Sequence, residues 1–175
     1  FLQTLGKYLD YRADRGLVDE RYAYARDVLI HYARWMSDHE RPYLDHPEQL
    51  EYPTETWAAQ DIRKAAVFEF AARHTDDESD RVRFLRGAAD FFDYSVNTLT
   101  EAATGHLVRP LVLLLTYGFQ RPLTPAVIES SPLPKARPGP RARFVPMRRR
   151  VMRRLIVIAA TASLAALLAI AWLIL

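Results

Sequence analysis

The 175-residue chain contains no cysteine, so disulfides, thiolate metal sites and cysteine nucleophiles are all excluded. A cysteine-free chain fits a reducing compartment. Glycine is scarce, with six residues, and no Gly-x-Gly-x-x-Gly, Walker loop or Gly-x-Ser-x-Gly is formed. Nucleotide binding and serine hydrolysis therefore have no local support. The five histidines, His31, His39, His46, His74 and His106, fall into no His-x-x-x-His or Glu-x-x-His spacing, and neither a metal nor any other cofactor is expected. Acidic residues almost vanish after Pro122, where Glu129 stands alone against nine Lys/Arg. Residues 1–121 are the reverse, with 20 Asp/Glu against 15 Lys/Arg.

The longest uncharged stretch is Leu155–Leu175, 21 residues rich in Leu, Ile and Ala. At about 1.5 Å per residue it matches the roughly 30 Å hydrocarbon thickness of a bilayer, so one transmembrane helix is expected. Arg148, Arg149, Arg150, Arg153 and Arg154 precede it, with Lys135, Arg137, Arg141 and Arg143 behind. Basic residues stay on the cytoplasmic side, which predicts a single-pass inner-membrane protein with its N-terminal domain in the cytosol. The same cluster suits anionic lipid, and it lacks the interleaved aromatics of a nucleic-acid platform. Ala162, Ala166 and Ala169 recur at spacings compatible with helix–helix self-association.

Residues 122–154 read as a Pro/Arg-rich linker, since seven prolines between Pro122 and Pro146 cannot propagate a helix. Residues 1–121 read as helices throughout. Phe1–Tyr11 looks like the end of a helix entering from upstream, and a chain opening on Phe1 is expected to be a C-terminal fragment. Leu17–Asp38 carries Ala25, Val28, Leu29, Tyr32, Trp35 and Met36 on one stripe. Thr54 is placed to cap a helix running to about His74, apolar nearly all round between Ala65 and Ala72 apart from Glu69, which needs a partner. Asp76, Asp77 and Glu78 favour the start of the next helix, with Val82, Leu85, Ala89, Phe92, Val96 and Leu99 as its apolar series. A last helix follows from about Leu107, after a link ending near Gly105, and stops at Gly118 and Pro122; its run Leu111–Leu115 looks buried. The order is exposed, buried, exposed, buried: an all-α fold of helical hairpins, either a solenoid or an incomplete α/α toroid.

The most distinctive string is Tyr52-Pro53-Thr54-Glu55-Thr56-Trp57-Ala58-Ala59-Gln60-Asp61-Ile62-Arg63-Lys64, opening the buried helix. An indole beside carboxylates suits a sugar site, because the ring stacks on the apolar sugar face while the carboxylates accept hydroxyl hydrogen bonds or move protons. Glu55 and Asp61 are the candidate catalytic acids, but six residues apart on one helix they do not form a close pair. Trp57, Tyr52 and Arg63 are the candidate substrate contacts. Each has an ordinary alternative: Glu55 suits the helix dipole, Asp61 can pair with Lys64 or Arg63, and Trp57 can be core.

This string and the alternation of exposed and buried helices resemble the C-terminal part of bacterial six-hairpin α/α-toroid proteins related to glycoside hydrolases. The resemblance covers residues 1–120 and implies a saccharide ligand. It also implies a cavity lined at the inner-helix ends, matched here by Glu55, Trp57 and more loosely Asp61. Two functions follow as expectations: a membrane-anchored carbohydrate-active or carbohydrate-binding protein, or a non-catalytic helical scaffold or regulatory module tethered to the inner membrane.

Overall fold

In the computed structural model the described residues are 1–103, 107–118, 149, 151–152 and 154–163. The chain divides into two compact units, Phe1–Pro140 and Arg141–Leu175. Among the described residues the first holds five helices: α1 (Leu2–Asp14), α2 (Glu20–His39), α3 (Thr56–His74), α4 (Glu78–Glu101) and α5 (Val108–Tyr117). Two short 3-10 turns, Tyr43–Asp45 and Pro47–Gln49, bridge α2 and α3. All regular structure among the described residues is helical.

The central element is α3. Fourteen of its nineteen residues are buried, including Ala65, Ala66, Val67, Phe68, Phe70, Ala71 and Ala72, and it packs against all four other helices. A helix apolar on every side has to be surrounded. Its alanines let neighbours approach closely, while Phe68 stacks on Phe84 and Phe91 of α4. Gly6 marks the nearest approach of α1: a Cβ there would lie 2.2 Å from the Phe70 ring.

The helix ends follow local chemistry. Gly16, at φ 66°, closes α1, with its N–H donating to Ala13 O and that of Leu17 to Arg12 O. That pair of bonds is the Schellman stop, which needs the left-handed conformation glycine adopts freely. Asp19 caps α2 by accepting from the N–H groups of Arg21 and Tyr22, and Asp77 caps α4 by accepting from Asp80. Asp77 lies in the acidic run expected to begin this helix.

Three local expectations are corrected. The cap position of α3 is Glu55 rather than Thr54, and no side chain caps it; the Thr54 carbonyl accepts the Trp57 N–H instead. The core stripe of α4 is Phe84, Ala88, Phe91, Ser95 and Leu99, which leaves Val82 60% exposed and Leu85, Ala89, Phe92 and Val96 on the flank. The helix turns its two large rings, Phe84 and Phe91, onto Phe68, and the smaller aliphatic series shifts aside. In α5 only Pro110 and Leu113 are buried; Val108, Leu111, Val112 and Leu115 are exposed, so the exposed–buried alternation stops at α4.

In the second unit, residues 151–152 and 154–163 are helical. Among the described residues no helix is long and apolar enough to cross a membrane. Residues 164–175 of the expected span, including Ala166 and Ala169, lie outside the described residues, as do 122–148 of the linker and Gly105 and His106.

Gly6→Ala should destabilise the bundle. The helix-propensity gain of about 1 kcal/mol is outweighed by overpacking against Phe70, which costs about 1–3 kcal/mol or more at so short an approach. Denaturant unfolding of the variant beside the unmodified chain measures the balance, and a more stable variant would contradict this packing.

Candidate functional site

The sequence-predicted residues scatter around the N-terminal half of α3. Asp61 is fully buried. Its Oδ2 accepts the Tyr43 N–H at 3.1 Å, and its Oδ1 lies 3.0 Å from Lys64 Nζ. Burial pushes the Asp61 carboxyl above the usual carboxylate range, and the Lys64 charge opposes that shift. Lys64 reaches three acceptors: Asp61 Oδ1, Glu40 Oε2 at 2.9 Å and the Arg41 carbonyl at 2.6 Å. Its hydrogen bond is to the Arg41 carbonyl, and the two carboxylates compensate its charge as ion pairs. It also lies 3.7 Å from the centroid of the Tyr43 ring. The Asp61–Lys64 pairing foreseen as the ordinary alternative is the one formed, and it ties the 40–43 link to α3.

Glu55 is separated from Asp61. It lines a shallow cleft with Leu44, Pro53, Thr98 and Glu101, on which Asp61 does not open. The two carboxylates are not brought together, and Asp61 has no route to a ligand in this conformation.

Trp57 and Arg63 do share a site. They line a groove of about 550 Å³ between α2, α3 and the first residues of α1, joined by Tyr32, Trp35, Tyr43 and Gln60. Gln3, Glu40, Lys64 and Arg109 complete its polar lining. The rings are held. Trp57 Nε1–H donates to the Tyr52 carbonyl at 2.8 Å, and the Trp57 ring lies 5.2 Å from that of Tyr43 at 58°. Trp35 stacks on His39 at 4.7 Å and 6°, leaving its indole 48% exposed. Tyr52 is 71% exposed and contributes through its carbonyl, as an anchor for Trp57 rather than as a groove wall.

Sequence reasoning placed Tyr32 and Trp35 in the apolar stripe of α2. They lie at its edge, both about half exposed, while the interior of the stripe is Tyr22, Ala25, Leu29, Ile30, Ala33 and Met36. A signal was present: two large aromatics three residues apart, with His39 four residues beyond Trp35, where stacking is geometrically favoured. The contributions of Gln3, Tyr43 and Arg109 carry no local signal, because they come from other elements.

A second polar cluster lies at the other end of α3. His74 is fully buried; its Nε2 lies 2.8 Å from Asp10 Oδ1 and its Nδ1 3.0 Å from the Tyr22 hydroxyl. Because the carboxylate only accepts, Nε2 carries a proton, while Nδ1 is hydrogen-bonded to the Tyr22 hydroxyl. Arg73 holds the other Asp10 oxygen. The triad joins α1, α2 and α3 with no opening to solvent at His74 or Tyr22, so its role is structural. Glu69 is buried and not without a partner. Among the described residues no group of three His, Asp or Glu side chains is arranged to hold a metal ion.

No family profile, curated protein or solved structure matches this chain.

Burial pushes the Tyr22 phenol up to about 12 from its ordinary 10.0. A raised folded-state value means that the protonated form is favoured by the fold. Its contribution is therefore fully present below pH 10 and is lost as the pH rises toward 12. Unfolding free energy measured across that window should fall in the unmodified chain. Tyr22→Phe should start lower at pH 8, having lost the bond to His74, and should show a shallower alkaline decline. Equal slopes would contradict the assignment.

Proposed function

We propose that the first unit is a carbohydrate-binding helical module rather than a hydrolase. The observation that carries this reading is the set of four rings, the exposed Tyr32, Trp35 and Tyr43 and the partly buried Trp57, around one groove with the amides of Gln3 and Gln60. Aromatic faces stack on the apolar C–H faces of a pyranose, while amides and guanidinium groups exchange hydrogen bonds with its hydroxyls. Hydrolysis needs two carboxyl groups flanking the scissile bond, about 5–9.5 Å apart. Here Asp61 is sealed against Lys64, Glu55 lies in another cleft, and the groove carboxylate Glu40 is paired with Lys64. The toroid ancestry suggested by the Tyr52–Lys64 string belongs to this proposal, with the binding surface retained and the acid pair absent.

The proposal extends to location. Residues 155–175 form a single span, the basic residues 135–154 rest on anionic lipid at about 1 kcal/mol each, and the acidic unit faces the cytosol of a bacterial cell. A module so placed meets saccharide chains or precursors on the inner face of the membrane, as during assembly of an envelope polysaccharide.

A scaffold reading has one observation in its favour, the exposed stripe Val108, Leu111, Val112 and Leu115 on α5. It predicts a stoichiometric protein partner in detergent extracts and no saccharide affinity.

Glycan-array screening followed by titration calorimetry tests the binding reading. Trp57→Ala and Trp35→Ala should each weaken saccharide binding about ten-fold or more, on the scale of one lost ring stack, whereas Glu55→Gln should leave affinity unchanged. Binding indifferent to both tryptophans, or none to any glycan, would overturn it.

Protease protection tests the orientation. In inverted vesicles residues 1–121 should be digested, and in right-side-out vesicles they should be protected. The opposite pattern would reverse the topology.

A further inference from the structure

The charges lining the groove do not balance. Among the described residues lining it Glu40 is the one carboxylate, and it is bound to Lys64, which also holds the buried Asp61. Arg63 and Arg109 remain. Both are exposed, and among the described residues neither has a carboxylate within ion-pair distance. Arg63 instead lies over the Tyr117 ring at 5.8 Å, and its backbone carbonyl accepts from Gln3 Nε2 at 3.4 Å.

Elsewhere in the bundle most guanidinium groups have a carboxylate partner, with Arg15, Arg21 and Arg41 as the exceptions among the described residues. Arg12 sits on Asp19, Arg26 on Asp76, Arg34 on Asp80, Arg73 on Asp10 and Arg83 on Asp38. Residues 1–121 hold an excess of acids, 20 against 15 basic residues, so partners are plentiful. Two guanidiniums without a carboxylate partner and four aromatic rings line the same groove, a combination that suits a ligand with an apolar face and a negative charge. A guanidinium offers a planar fork of donors that matches a carboxylate or a phosphate.

We propose that the groove selects saccharides bearing an anionic group, a uronate carboxylate or a sugar phosphate, with Arg63 and Arg109 as the receptor for that group. This rests on the reading of the groove as a saccharide site. Ring stacking supplies the affinity common to neutral and acidic sugars; the two arginines supply the preference between them. Because both side chains are exposed, the preference weakens with ionic strength.

The experiment uses the full chain in zwitterionic nanodiscs, which present no competing anionic lipid. The probes are a galacturonate tetramer, its methyl ester, mannose 6-phosphate and mannose, each titrated calorimetrically at low and high salt. The acidic member of at least one pair should bind about ten-fold tighter than its neutral counterpart at low salt, and the pair that discriminates identifies the carboxylate or the phosphate. The gap should narrow at high salt. Arg63→Gln and Arg109→Gln should each reduce acidic affinity several-fold while leaving neutral affinity in place, with Arg63→Lys intermediate. The salt dependence of the unmodified chain gives the same answer should a variant fail to fold. Equal binding of acidic and neutral probes, or acidic binding unaffected by both arginine changes, overturns charge selection while the saccharide reading stands. If neither these probes nor any array glycan binds, the saccharide reading itself fails, and this inference with it.

Discussion

Everything in the first unit answers to one constraint: α3 is apolar on nearly all sides and has to be enclosed. Its alanines allow close approach from α1, α2, α4 and α5, and its two phenylalanines interlock with the rings of α4 and the glycine of α1. Enclosure on its own does not say which helix lies where, because apolar contact is non-directional. The direction comes from the charges that α3 carries inside. Among the described residues Asp61 and Lys64 are partnered by Glu40, Arg41 and Tyr43 of the link after α2, and His74 with Arg73 by Asp10 of α1 and Tyr22 of α2. Leaving a buried charge without its partner costs several kcal/mol, so arrangements that separate these residues are strongly disfavoured.

The groove is a consequence of the same ties. Lys64 draws residues 40–43 onto α3, and that puts the Tyr43 ring between Lys64 and Trp57. The end of α2 is thereby held beside the start of α3, with Trp35 and Tyr32 on one wall and Trp57, Gln60 and Arg63 on the other. Asp61, which from sequence alone is a candidate acid, does its work from inside the wall. The residues available to a ligand are rings, amides and guanidiniums.

Much of the helical architecture is legible from periodicity and caps: the existence of the helices, the burial of α3 and the acidic start of α4 follow from residues close together in the chain. The errors arise where two neighbouring apolar series compete. In α4 either the Val82 series or the Phe84 series fits a helical stripe, and only the position of Phe68 decides between them. The apolar run of α5 implies burial, but a run shows only that a helix can be covered. The groove was half legible, through Trp57 and Arg63. Its other members, and the partners of His74, lie 50 or more residues away in several cases, and no local pattern announces such pairs.

Native-state hydrogen exchange tests most directly the claim that α3 organises the unit. Amides of Ala65 to Ala72 should exchange only through global unfolding and should be the most protected in residues 1–118, with α1 and α5 opening at lower free energy. Exchange of the α3 amides at free energies below those of α1 or α5 would contradict the account.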